Sequence, residues 1–303
     1  MDPEESHIPR IPIGEWAANG IDWLTENWSG FFDAIDTGIT FLNDKLTFGF
    51  IAIQPLVLIA ILALLAWLLR SWKFAVGSVI TFLLVLSMDM WEAMLQTMSL
   101  VLIATVIAVI IAVPVGILAA TSRGASAVIR PVLDFMQTMP AFVYLIPAVF
   151  FFHVGIVPGL VSTVIFSLPP GVRMTELGIR QVNGETVEAG ESFGANTWQI
   201  LKGIQLPLAI PNIMAGINQV IMLALSMAVM AGLAGADGLG KKVTEAISTL
   251  DLAQGVEGGL GVVFLAIYLD RLTAAIGNPG DYKSSIVALI KKARKKRAKA
   301  AAA

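Results

Sequence analysis

Apolar positions along this chain gather into long blocks separated by short polar breaks. Seven blocks stand out, at about 51–69, 74–88, 95–120, 136–155, 159–180, 208–233 and 257–276. Each approaches the roughly 20 apolar residues that a helix needs to cross the hydrocarbon of a bilayer. The pattern predicts an all-α polytopic membrane protein with about seven transmembrane helices. The third block holds Pro114 and Gly116, which predicts a kink or tilt. The fifth carries Pro169-Pro170-Gly171, tolerable in lipid only where protein or water covers the freed carbonyls.

The segment ahead of these blocks has a different period. Leu24, Trp28, Phe31, Ile35, Ile39, Leu42 and Leu46 recur at three- and four-residue steps, with Asp22, Glu26, Asp33, Asp36 and Asp44 opposite them. One amphipathic helix from Gly14 to Leu46 is predicted, lying in the membrane interface or packed on the protein's own surface. Residues 1–12, with Pro3, Pro9 and Pro12, read as extended. A short helix is predicted over 241–250, and the basic run at 291–299 reads as a solvated or lipid-facing tail. The organisation is therefore an external amphipathic segment (1–50), a transmembrane domain (51–276) with a polar loop at 184–207, and a basic tail (277–303).

Composition agrees with a membrane class: 56% of residues are apolar and 14% charged. There is no cysteine, which excludes disulfides and thiolate metal sites, and His7 and His153 are too far apart to suggest a metal centre. No basic stretch leads into an apolar core at the N-terminus, so no cleaved signal is expected. The net charge of −2 matters less than its distribution. With the C-terminus inside, every lysine and arginine except Arg10, Lys45, Lys241 and Lys242 falls on the inner side. The positive-inside bias then places the N-terminus outside and the 184–207 loop in the cytoplasm.

That loop is the most informative stretch. Glu188–Pro207, EAGESFGANTWQILKGIQLP, is too polar for lipid. A first helix over about 187–193 is stopped by Gly194, which readily takes the left-handed conformation of a helix end. Asn196 caps a second helix, with Gln199 placed to complete a capping box. Pro207 is expected to close that second element. The result is a helix–turn–helix knob with Phe193, Trp198, Ile200 and Leu201 as its apolar contacts.

The order Glu188-Ala189-Gly190, Gly194, Ile204-x-Leu206-Pro207 resembles the EAA loop of ATP-binding-cassette import permeases. The family pattern has Ala where this chain has Gly190, a departure expected to loosen the first helix. The resemblance implies a type I importer permease fold and a loop that couples to a groove on a separate ATPase. Glu188, Ala189, Gly190, Ser192, Phe193, Gly194, Asn196, Trp198, Gln199, Ile204, Leu206 and Pro207 would form that contact. Segments 131–147, 166–182, 206–227, 265–277 and 21–28 look like the glycine betaine/proline betaine permeases of the same family. This likeness implies a homodimeric permease in a bacterial inner membrane, with two ATPase subunits and an external binding protein. Choline, carnitine or a sulfonium solute stay open as cargo. No cofactor is expected in this chain, since ATP and Mg²⁺ would sit on the partner ATPase, and nucleic acid is not an expected partner. An ion-coupled carrier or channel is the alternative reading; a membrane scaffold or osmosensor is a third.

Two further readings concern chemistry inside the blocks. Gly235-Ala-Asp-Gly-Leu-Gly240-Lys241-Lys242 nearly matches a phosphate loop, yet Lys242 stands where the Mg²⁺-binding hydroxyl belongs, so no nucleotide site is read there. Hydrolysis by this chain itself is not expected. Among intramembrane polar residues, Glu176 is expected to pair with Arg173 and Asp134 with Arg130. Asn218, Gln219 and Gln137 are expected to hydrogen-bond between helices. Phe142, Tyr144, Met222 and Met227 are candidates for lining a translocation path, with ordinary packing the alternative.

Overall fold

A computed structural model describes residues 11–277 together with Ser284 and Ser285. The predicted basic run at 291–299 and most of the extended start lie outside the described residues. Within them the chain is helical throughout, without strands.

The amphipathic segment is two helices rather than one. α1 (Ile13–Asn27) and α2 (Ser29–Ile51) are separated at Trp28, whose φ of −121° and ψ of 24° leave the helical region. α1 buries no residue, and Trp16 and Trp23 are exposed on it. The predicted stripe crosses this break, and Leu24, Trp28, Phe31 and Leu42 of it are exposed.

α2 turns by 102° into α3 (Pro55–Leu69). The turn sits at Gln54, held extended by the proline that comes after it, which then starts the new helix without needing a donor. α4 (Trp72–Ser87) begins with Ser71, whose hydroxyl accepts from the Phe74 N–H. α5 (Trp91–Thr121) runs through Pro114 as one helix. α6 (Arg123–Thr138) and α7 (Ala141–Phe152) meet at 98°, the bend falling at Met139-Pro140. Next come α8 (Ile156–Arg180) and the polar loop with its short helices α9 (Gly184–Ser192) and α10 (Thr197–Ile200). α11 (Leu206–Ala231), α12 (Leu239–Thr249) and α13 (Leu252–Gly277) complete the order.

All seven predicted apolar blocks are helical, but not all are simple spans. Four stretches are long and apolar enough to cross a membrane: Trp91–Thr121, Ile156–Arg180, Thr197–Ala234 and Leu252–Gly277. Counting each bent pair as one span raises the number to six. The 51–69 and 136–155 blocks belong to those pairs, and α4 is the shorter apolar helix of 16 residues.

α8 is the centre of the bundle, packed between α5 and α11. Small residues make the approach possible, as they must where lipid removes the hydrophobic drive and close contact takes over. A Cβ on Gly171 would lie 2.8 Å from Ala112 Cβ, and one on Gly216 2.7 Å from Met174 Cβ. Pro169, Pro170 and Gly171 are buried in this contact, which is the protein cover their freed carbonyls require. One apolar core runs from α3, α4 and α13 through α5 into α8 and α11. Phe82 packs edge-on to Trp91 at 6.1 Å and against Tyr268 at 4.9 Å. The Tyr268 hydroxyl donates to the Leu62 carbonyl at 2.9 Å, so its buried polar atom is satisfied.

Candidate coupling site

The polar loop is built from local hydrogen bonds that the sequence encodes almost completely. α9 starts at Asn183, whose side chain accepts from the Glu185 N–H at 2.8 Å. It ends in a Schellman arrangement: Gly194 N–H donates to the Glu191 carbonyl at 2.8 Å, and Ala195 N–H to the Gly190 carbonyl at 3.1 Å. Gly194 has φ +79°, a conformation that costs an L-residue with a side chain. α10 carries the expected capping box. Gln199 N–H donates to Asn196 Oδ1 at 2.9 Å, and Asn196 N–H to Gln199 Oε1 at 2.8 Å.

Two expectations need correction. α9 starts earlier than 187, because Asn183 supplies the N-cap. Pro207 does not close the second element. The chain continues from α10 through a π-helical stretch, Leu201–Gln205, into α11, and Pro207 lies within the first turn of that helix. Proline is compatible there because the wider π turn already displaces the usual donor–acceptor register. The loop's second arm is thus the start of a membrane helix.

The four apolar residues of the knob separate into two roles. Ile200 and Leu201 are buried at 5% and 3% exposure, Leu201 packing with Ile179 and Ala209. Phe193 and Trp198 face out, at 92% and 66% exposure. Glu188, Ala189, Ser192, Asn196 and Gln199 are also exposed, so the outward face is polar with two rings standing on it. Leu206 is half-buried against Ile179, Leu201 and Ala209, and Ile204 is half-buried. Gly190 faces Ile204: a Cβ there would lie 2.7 Å from Ile204 Cδ1. The absent methyl gives the isoleucine its place, so the departure tightens the knob rather than merely loosening α9. A cavity of about 510 Å³ lies between the loop and α5, with Pro114, Ile117, Leu118 and Trp198 among its walls.

Near the loop, ion pairs connect α6 to α8. Glu176, 4% exposed, accepts from Ser126 Oγ at 2.8 Å and Arg130 Nη2 at 2.9 Å, and pairs with Arg180 Nε at 3.0 Å. Arg173 pairs with Asp134. Both expected within-helix pairings are therefore exchanged for pairings across helices. Helical spacing selects the wrong partners because the packing of α6 on α8 decides who meets whom.

Asn218 bonds between helices as expected. Its Nδ2 donates to Asp270 Oδ1 at 2.8 Å, and Thr273 Oγ1 donates to Asn218 Oδ1 at 2.7 Å. Asp270 escaped the sequence reading, although a carboxylate inside the α13 block was a visible signal. The four path candidates do not form one surface. Phe142 and Met222 are exposed at 46% and 42%, whereas Tyr144 and Met227 are buried. The phosphate-loop-like segment makes tight turns instead, with Gly235 and Gly238 at positive φ and the Leu239 N–H donating to Thr97 Oγ1.

Comparison with known proteins adds an independent line. Residues 112–276 match the model of the binding-protein-dependent transport system inner membrane component. The glycine betaine transport system permease protein OpuAB of Bacillus subtilis is 46% identical over 89% of this chain and 95% of its own. The glycine betaine/carnitine transport permease protein GbuB of Listeria monocytogenes is 48% identical over 89% of this chain and 96% of its own. ProW of Escherichia coli, a glycine betaine/proline betaine transport system permease protein, is 42% identical over 91% and 78%. A solved structure of the MetNI methionine ABC transporter superposes with a TM-score of 0.53 at 19% identity, over 63% of this chain and 93% of that one. That likeness carries the fold.

Proposed function

The chain belongs to the family of inner membrane components of binding-protein-dependent transport systems, and from that membership we propose that it imports betaine-type solutes. In this reading it is the permease of an ATP-driven importer for glycine betaine, proline betaine or a close methylated ammonium solute. The substrate class comes from the solutes for which OpuAB, GbuB and ProW are named.

The observation that carries the mechanism is the exposed pair Phe193 and Trp198 on a loop fixed at both helix ends. Large rings surrounded by polar groups suit an interface core, where aromatic anchors fill pockets on a partner. The partner is an ATPase subunit that holds ATP and Mg²⁺. Its closure pushes α9 and α10; Ile200, Leu201 and Ile204 pass the push into α11, while α9 is continuous in sequence with α8. Because α10 continues into α11 through helical backbone, displacement travels as rigid-body motion rather than being lost in a loop.

Two copies of this chain enclose the path, and a loaded binding protein delivers solute from outside. Phe142 and Met222, both exposed, are the path-facing candidates. The amino end lies outside, with α1 resting in the interface through Trp16 and Trp23, and the carboxyl end lies in the cytoplasm. Reconstitution tests the proposal. The chain is co-purified with an ATPase and a binding protein encoded beside it, placed in liposomes, and assayed for ATP hydrolysis. Hydrolysis should rise several-fold on adding betaine-loaded binding protein, with betaine accumulating inside. Uptake by the permease alone, without ATP, would replace this reading with an ion-coupled carrier.

A further inference from the structure

Arg130 and Arg173 can each serve Glu176 or Asp134, one by packing between helices and the other by spacing along a helix, and the observed pairings are one of these two ways. Across the helices, Arg130 meets Glu176 and Arg173 meets Asp134. Along each helix, Arg130 and Asp134 are four residues apart on α6, and Arg173 and Glu176 three apart on α8. Those are the spacings at which helical side chains are neighbours. We propose that Glu176 is a positioning residue of the transport cycle that exchanges Arg130 for Arg173, releasing α6 from α8 without leaving a buried charge uncompensated.

Three observations carry this. Glu176 also pairs with Arg180, four residues along its own helix, a contact the exchange does not touch, so exchange of Arg130 for Arg173 leaves the carboxylate with two guanidinium partners. A buried carboxylate that lost its partner outright would be strongly disfavoured, whereas a swap avoids that state. α6 is otherwise lightly anchored: of its residues only Ser126 and Leu133 are buried. It is bounded by the Ser122 cap at one end and the 98° bend at the other. Finally, Arg173 is incompletely satisfied in the present pairing, its Nε being buried without a hydrogen-bond partner. Moving to Glu176 gives that nitrogen an acceptor. The site lies at the end of α8 from which α9 emerges, so displacement of the loop reaches it first.

The two arginines give a test that separates exchange from a fixed clamp. Under exchange, Arg130→Gln leaves Glu176 better satisfied in the released arrangement, and Arg173→Gln leaves it better satisfied in the joined one. The two variants therefore shift α6 in opposite directions. A fixed clamp loses one cross-helix pair in each variant, so both loosen α6. The chain has no native cysteine, so spin labels on Val128→Cys and Leu177→Cys, both exposed positions, in protein diluted with an excess of unlabelled chain, report the α6–α8 distance within one copy. The full-length protein is measured in lipid nanodiscs by double electron–electron resonance. A shorter- and a longer-distance population are expected, with the longer one raised at least threefold by Arg130→Gln and lowered at least threefold by Arg173→Gln. Shifts in the same direction, or one distance unchanged in all three proteins, overturn the proposal. This measurement does not need the partners. The link to transport rests on the permease reading above: in the reconstituted importer, Arg173→Gln should lower betaine uptake at least fivefold, with Arg173→Lys restoring it. If the unsubstituted importer fails to take up betaine, the functional reading falls while the distance result stands.

Discussion

Gly190 and Ile204 share one volume: a Cβ on the glycine would stand 2.7 Å from the isoleucine's Cδ1. The contact joins α9 to the π-helical stretch that leads into α11, so the two arms of the knob meet here. The clash is with the far end of a flexible side chain. Gly190→Ala should therefore be tolerated, because a small rotation of Ile204 is offset by the helix preference of alanine over glycine, about 1 kcal/mol. Stability of the purified protein should change by less than about 1 kcal/mol. Gly190→Leu has no such escape. Uptake by the reconstituted importer should fall at least tenfold while membrane insertion, read by fractionation, is kept.

Gly194 supplies a second test of the same lever. Its φ of +79° favours a residue without a side chain, and its N–H bond to Glu191 needs a residue other than proline. Gly194→Ala should cost about 1–2 kcal/mol of local stability and leave partial transport. Gly194→Pro removes the donor as well and fixes φ near −65°. The expected protein inserts normally but shows no solute-stimulated ATP hydrolysis in the complex; normal uptake would count against the loop as lever.

Phe193 separates binding from folding. At 92% exposure it contributes little to the isolated fold, so Phe193→Ala should leave thermal stability within about 0.5 kcal/mol. If the ring is an interface anchor worth about 2 kcal/mol, ATPase affinity falls about 30-fold. Pull-down titration with the ATPase checks this, and equal affinity would remove Phe193 from the interface.

Asn196 tests the capping box from the other arm. Losing its side chain leaves the Gln199 N–H without its acceptor, a change that costs about 1 kcal/mol at a helix start. Asn196→Asp retains the acceptor and should behave as the unsubstituted chain. Asn196→Ala should speed amide exchange across Thr197–Ile200 about fivefold relative to Asn196→Asp, measured by hydrogen–deuterium exchange.

Inside the bundle, Asn218→Leu removes the donor to Asp270 at 2.8 Å. Interhelical hydrogen bonds in membranes are worth about 0.6 kcal/mol on average and up to about 1.7. A loss near the upper end is expected, because a carboxylate remains with fewer partners. Thermal unfolding in detergent, compared with Gly14→Ala in the open surroundings of α1, reads the difference.

The sequence alone determined whatever depends on neighbours along the chain. Apolar blocks named the helices, because lipid admits only backbones that bond to themselves. The Gly194 turn, the Asn196–Gln199 box and the place of the polar loop came from residues within a few positions of one another. Tertiary structure decided the rest, for reasons that local spacing does not contain. Whether Phe193 or Ile200 faces outward depends on where α8 and α11 lie, and the bends at Gln54 and Met139 turn predicted spans into arms. Arg130 finds Glu176 instead of Asp134 because α6 packs on α8. Pro207 continues a helix because a π turn precedes it. Helical periodicity fixes which side chains share a face, but only packing between distant segments chooses the face's partner.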